Sequence, residues 1–191
     1  TRDEESLLDE VCRIVAEEGG YPLVWTGMPE AQEVVPMAFC GPAAEYLKEI
    51  RVEVSGTLGQ GPTGTCIREN RSVVNDDFAV NPATSSWREA AARYRFHASA
   101  AFPLRRQGRA IGAFTIYATA SNAFGAEQVG LLESLSADIS YALDAFDLER
   151  IRIQNEKELL QAKEEWERTF ASVPDLVAIL DNDHRIVRVN K

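Results

Sequence analysis

Cysteine and histidine are scarce: the 191 residues hold only Cys12, Cys40 and Cys66, with His97 and His184. No C-x-x-C pair exists and the two histidines stand 87 positions apart. A disulfide framework is thereby excluded, and a structural zinc site lacks its ligand spacing. Long apolar runs are missing as well. The longest is broken by Gly112, Thr115 and Thr119, well short of the roughly 18 to 20 residues that a membrane-crossing helix requires. Thr1-Arg2-Asp3-Glu4-Glu5 carries none of the apolar character of a signal peptide, so a cytoplasmic chain with no membrane partner is expected. Positive charge is in short supply too: 20 Lys and Arg face 30 Asp and Glu, for a net charge of -10. That is the wrong sign for following a phosphate backbone, so nucleic acid is not an expected partner.

What is present is an ordinary globular composition, 45% hydrophobic and 26% charged, enough for one core and an appendage. Leu7, Leu8, Val11, Ile14 and Val15 recur at helical spacing, predicting an amphipathic helix over residues 4–18 that stops at Gly19-Gly20. Strands are expected at 21–26 and 35–39 around a polar loop, a short helix at 43–50, and a strand at 51–54. The glycine-rich stretch 56–64 reads as a loop opening a helix at 65–70, followed by a strand at 72–75 and a helix at 86–93. Residues 97–104 and 110–118 alternate as strands, with Gln107-Gly108 as their hairpin turn.

From residue 126 to about 172 the pattern is helical throughout. Leu132, Ile139, Phe146, Ile153 and Leu160 fall one heptad apart, with Leu135 and Leu143 adding a second row in the first half only. Those seven side chains are the expected seam of a homodimer built along this helix. Pro174 stops the helix, and 176–180 with 185–189 form a hairpin pattern around Asp181-Asn182-Asp183. With so little apolar company, the hairpin is expected to be disordered or completed by a neighbouring chain.

Cys12-Arg13-Ile14, Gly19-Gly20-Tyr21, Gly61-Pro62-Thr63-Gly64-Thr65, Trp87-Arg88-Glu89-Ala90-Ala91, Phe102-Pro103-Leu104 and residues 111–118 occur in this order. Together they resemble bacterial GAF domains over residues 1–145. The resemblance implies an α+β fold, a central antiparallel sheet flanked by helices, followed by a long coiled-coil helix (146–172). Glu167-Arg168-Thr169-Phe170, Val173-Pro174-Asp175 and the hairpin to Asn190 resemble the opening of a PAS domain, so 173–191 is expected to be its truncated start.

The same resemblance implies a small-molecule pocket on one face of the sheet, with Trp25, Asp76, Asp77, Trp87, His97, Ser99 and Thr115 as ligand-binding candidates. Strand parity places His97 and Ser99 on that face, and Ala98, Ala100, Phe102 and Leu104 on the other. The ligand's identity is not readable from sequence. Cys66 is followed by Ile67 and Cys40 by Gly41, which counts against the Cys-His dipeptide of bilin attachment, and one exposed histidine is too little to argue for haem. Gly59-Gln60-Gly61-Pro62-Thr63-Gly64 is a literal G-x-G-x-x-G. Pro62 removes an N–H from the would-be phosphate cradle, and the helix that follows is too short for a dinucleotide crossover.

No catalytic set emerges: Ser99 and His97 lie side by side without a nucleophile turn. The expected function is a non-catalytic sensory module of a bacterial signalling protein, a histidine kinase or a cyclic-dinucleotide enzyme, with a downstream PAS and output domain. The competing readings are a ligand-free dimerisation scaffold and a thiol-dependent reductase of small oxidised metabolites that uses Cys40 and Cys66.

Overall fold

The structure, a computed structural model, describes residues 2–190. It divides into two compact units, Thr1–Phe146 and Asp147–Lys191. The first is a five-stranded antiparallel sheet in the order β2-β1-β5-β4-β3. Its strands are β1 (Leu23–Glu30), β2 (Glu33–Cys40), β3 (Val73–Asn75), β4 (Ala98–Arg106) and β5 (Arg109–Ala118). Helix α1 (Arg2–Gly19) precedes them, and α2 (Tyr46–Glu49), α3 (Pro62–Glu69) and α4 (Arg88–Arg93) lie between them. Helix α5 (Ala126–Ser172) follows. This is the α+β architecture expected from the sequence.

Alternation along the strands sorts the core into two layers. Val24, Ala98, Ala100, Phe102, Leu104, Phe114 and Ile116 pack against Leu8 and Cys12 of α1 and Leu132, Ile139 and Leu143 of α5. Leu23, Trp25, Ala101, Ala113 and Tyr117 point the other way, toward α2, α3, α4 and the loops between them. Residues two apart on a strand share a face, so each strand feeds both layers.

Local sequence explains the differences from expectation. The polar stretch after residue 26 is not a loop but the continuation of a hairpin, with Glu30 paired to Glu33 and Ala31 at φ 56 in the turn. Residues 51–54 are not a strand. They join the sheet edge through the bridge Glu33↔Glu53 and the bonds Val34 N–H to Val52 O and Val54 N–H to Gln32 O. Helix α3 begins three residues earlier than expected, because Pro62 at its first position presets φ and has no N–H to leave unpaired. Before α4 a 3₁₀ segment, Pro82–Trp87, replaces the expected first helical turns; the Asn81 side chain caps it by accepting from Ala83 N–H at 2.9 Å. The Gln107-Gly108 turn forms as read, both residues at positive φ (49 and 77) as a two-residue hairpin turn demands.

The heptad row on α5 needs a correction. Leu132, Ile139 and Leu143 are 5%, 1% and 0% exposed, buried beneath the chain's own sheet, and so are unavailable to a partner helix. Leu135 and Phe146 are half-buried, whereas Ile153 and Leu160 are exposed. The second unit holds the rest of α5 and a hairpin of β6 (Ala178–Leu180) and β7 (Ile186–Val189). The hairpin is formed rather than disordered. The Asn190 side chain holds it, accepting from Val177 N–H at 2.7 Å and donating to Val173 O and Asp175 O at 3.0 and 2.9 Å. Arg188 lies over the ring of Trp166 at 4.8 Å, and Trp166 stacks on Phe170. Among the described residues no helix is long and apolar enough to cross a membrane.

Candidate ligand-binding site

Two rows of paired residues make the floor of the second layer. One runs Trp25–Thr115–Ala101 and the other Leu23–Tyr117–Ser99–Asn75. Over the floor lie Tyr46 from α2, Thr63 from the first turn of α3, and Phe78 and Trp87 from the segment between β3 and α4. These last residues enclose, with Tyr117, a cavity of about 20 Å³. That is room for a single water, since one water occupies about 10 to 15 Å³ on this measure.

Aromatic rings fill most of the chamber. Tyr46 meets Phe96 edge-on at 4.9 Å and Tyr117 at 5.3 Å, and Phe78 stacks on Tyr117 at 6.0 Å. Trp87 is anchored through its indole N–H to Arg51 O at 2.9 Å. The glycines after residue 58 make this closeness possible. A Cβ on Gly61 would reach the Trp87 ring at 2.6 Å, and one on Gly64 would strike the carbonyls of Glu53 and Gly59. The G-x-G-x-x-G pattern is therefore a packing device.

The polar groups inside are mostly donors. Thr63 Oγ1 and Thr115 Oγ1 share a hydrogen bond at 3.1 Å. Trp25 Nε1, the Tyr46 hydroxyl and Asn75 Nδ2 are buried without a hydrogen bond of good geometry; the first two approach the Tyr117 hydroxyl, and Asn75 Oδ1 accepts from Asn81 Nδ2 at 2.7 Å. Each unpartnered group carries a desolvation penalty of roughly 1 to 3 kcal/mol, and buried polar groups are rarely left that way. Burial, reinforced by Tyr117, pushes the Tyr46 phenol far above its ordinary pKa. Burial raises Tyr117 too, offset in part by the nearby Tyr46 hydroxyl and Trp25 indole. Both remain neutral phenols at physiological pH.

The sequence candidates separate. Trp87 lines the cavity, and Trp25, Ser99 and Thr115 belong to its floor. Asp76 is exposed, its carbonyl accepting from Asn122 N–H, and Asp77 turns its carboxylate onto Ala79 N–H at 2.7 Å. Neither aspartate lines the chamber: Asp76 is exposed to solvent and the Asp77 carboxylate is taken up by its own loop. His97 lies outside it, in a separate cleft. Sequence reasoning missed Tyr46, Thr63, Phe78 and Tyr117, although strand parity with Thr115, a residue the family resemblance supplied, places Tyr117 on the same face.

The thiols are poorly placed for chemistry. Burial pushes Cys12 and Cys66 up to about 12, which leaves them protonated and weakly nucleophilic at neutral pH. Among the described residues no group of three His, Cys, Asp or Glu is placed to hold a metal ion.

The GAF domain family profile matches residues 1–144. This chain belongs to the GAF domain family. Solved structures agree at the level of fold. The GAF domain region of a protein described as a membrane protein, from Geobacter sulfurreducens PCA, is 18% identical with a TM-score of 0.64, covering 75% of this chain and 94% of that one. A domain of a two-component sensor histidine kinase protein from Sinorhizobium meliloti 1021 is 15% identical at 0.62, covering 78% and 96%. The type II free methionine-R-sulfoxide reductase of Thermoplasma acidophilum is 20% identical at 0.62, covering 76% and 94%. No curated protein matches the chain in sequence.

Proposed function

We propose that this GAF domain is a non-catalytic ligand sensor of a signalling protein, passing its state along α5 to a following PAS domain and an output domain. The observation that carries this is the chamber itself: an aromatic enclosure in which two fully buried donors, Trp25 Nε1 and the Tyr46 hydroxyl, converge on the Tyr117 hydroxyl without either making a hydrogen bond of good geometry. A ligand offering acceptors would satisfy them. The sensor-kinase neighbour supports a signalling role. The reductase neighbour keeps a thiol enzyme in view, but of its two candidate thiols, Cys40 and Cys66, the second is buried and held protonated, which does not favour it.

Transmission calls for a partner, and a second copy of the chain suits the surface. Leu148, Ile153 and Leu160 are exposed along α5. Higher up, Ile14 and Leu131 flank an apolar groove of about 450 Å³ between α1 and α5. The dimer seam is accordingly redrawn onto Phe146, Ile153 and Leu160, one heptad apart on one face, joined by Ile14 and Leu131; the buried leucines and Ile139 are excluded. Native mass spectrometry of the purified chain tests both halves of the reading. A dimer carrying extra non-covalent mass is expected. A bare monomer at micromolar concentration would overturn the sensor-dimer, as would an Ile153→Ser/Leu160→Ser variant that stays as dimeric as the parent.

A further inference from the structure

Phe78 is shared between two cavities. Its ring walls the buried chamber, and it also floors an outer cleft of about 180 Å³ between the loop after β3 and the segment joining α4 to β4. Phe96 and Ala92 complete an apolar floor, and Arg88, Arg95 and His97 stand around it. In a chain of net charge -10, this rim is an unneutralised cationic spot. Arg13, Arg51, Arg71, Arg93 and Arg150 are each ion-paired. Arg88 and Arg95 have no carboxylate partner among the described residues. Asp77, the nearest acidic group in sequence on the loop, is turned onto Ala79 N–H.

The rim is also held in place. Arg88 Nε donates to Phe78 O at 3.1 Å and a terminal nitrogen donates to Asn81 O at 3.3 Å, fixing the guanidinium on the loop that carries Phe78. His97 is pinned through its backbone, N–H to Ala118 O and O from Phe78 N–H, both at 2.9 Å, which leaves its imidazole exposed on the rim. Arg95 stands at φ 58, a left-handed backbone that few residues other than glycine adopt.

We propose that this cleft is the mouth of the chamber and holds the oxyanion of a small organic acid, a carboxylate or a phosphate monoester, whose apolar body lies against Phe78 and Phe96. The inference rests on the ligand-sensing reading and adds the ligand's chemical class. Arginine pairs with carboxylate and phosphate through its planar fork, and the floor accepts an aromatic or aliphatic body. Its volume restricts the occupant to a small molecule. Phe78 stacks on Tyr117, so a ligand that displaces its ring would disturb the chamber behind it.

The test uses the full chain with phenylacetate, phenyl phosphate and the neutral isostere phenylacetamide, followed by calorimetry and by the indole N–H resonances of Trp25 and Trp87. One or both anions are expected to bind about tenfold more tightly than the amide, or roughly 1.4 kcal/mol. The preference between them identifies carboxylate or phosphate as the natural group. Sodium chloride is expected to weaken the anions and not the amide. An Arg95→Asn/His97→Gln variant is expected to lose about tenfold in anion affinity with an unchanged melting temperature, since asparagine adopts the left-handed backbone readily. Equal binding of anion and amide, or full anion affinity in the variant, overturns the proposal. Binding of phenylacetamide alone overturns the anionic mouth and leaves the sensor standing. If no probe binds at millimolar concentration the mouth is overturned too, and a ligand retained in native mass spectrometry still upholds the sensor.

Discussion

Tyr46 buries its whole ring at the centre of the aromatic cluster, and its hydroxyl finds only the poorly aligned Tyr117 hydroxyl beside it. In a ligand-free protein that hydroxyl is a cost, so Tyr46→Phe is expected to stabilise the fold by about 1 kcal/mol, read as a higher urea midpoint with unchanged slope. If the hydroxyl serves a ligand, the same variant binds it more weakly. A Tyr46→Phe protein of lower stability would show that the hydroxyl already has a partner, such as a trapped water. Legibility at this scale is uneven. Ser99 lies on the chamber side as strand parity assigned it, and Thr115 and Tyr117 obey the same rule. Tyr46, Thr63 and Phe78 come from a one-turn helix, a helix start and a loop, where no period says which way a side chain points. Asp76 and Asp77 show the opposite failure: a carboxylate beside a pocket has the same sequence signature as one that closes an Asx turn.

Helix α5 illustrates what periodicity leaves open. The apolar repeat of Leu132, Ile139 and Phe146 marks one face of the helix, but a repeat is silent about what covers that face, and here the cover is the chain's own sheet. The serines between them carry the missing signal. Ser136 Oγ donates to Pro103 O at 2.8 Å, and Ser140 Oγ accepts from Arg105 N–H at 2.9 Å, where the β4–β5 register shifts between Leu104 and Arg105. Small hydroxyls four apart on a helix satisfy backbone groups that the irregular strand leaves unpaired. The hairpin of the second unit depends on a comparable device. An isolated pair of short strands is marginal in water, and Asn190 supplies three hydrogen bonds across its base. Asn190→Ala is expected to cost this unit roughly 2 to 3 kcal/mol and to speed hydrogen exchange at Val177 and Asp181 about tenfold or more, while exchange in the sheet of the first unit stays unchanged. Exchange at those amides equal to the parent's would refute the role given to Asn190.

Across the whole molecule, burial of weak acids links stability to alkaline pH. Cys12 and Cys66 rise from 9.0 to about 12 in the folded chain, and Tyr46 and Tyr117 are raised as well, chiefly by burial. A raised folded pKa favours the protonated form, so this contribution is complete below about pH 9 and is lost as pH rises from 9 toward 12. Chemical denaturation from pH 8 to 11 is expected to show stability falling with pH. A Cys12→Ala/Cys66→Ala variant, less stable overall from its cavities, falls less steeply; an identical slope would refute the assignment of that slope to the thiols. The fold class was legible because alternating strands and helical periods are local properties of the chain. The near-closure of the chamber was not, because it depends on how rings from α2, the pre-α4 segment and the sheet meet across long sequence separations.

The burial of α5's first half also governs which motions the helix can transmit. A slide of one turn along its axis, about 5.4 Å, would pull Leu132, Ile139 and Leu143 from beneath the sheet and carry Asp147 to the depth of Leu143. Burying the Asp147 carboxylate, which pairs with Arg150 at 2.6 Å near the surface, would carry a large desolvation cost, so a piston stroke is disfavoured. If the proposed signal does pass along α5, burial of Leu132, Ile139 and Leu143 favours a bend or a twist of the helix over a slide.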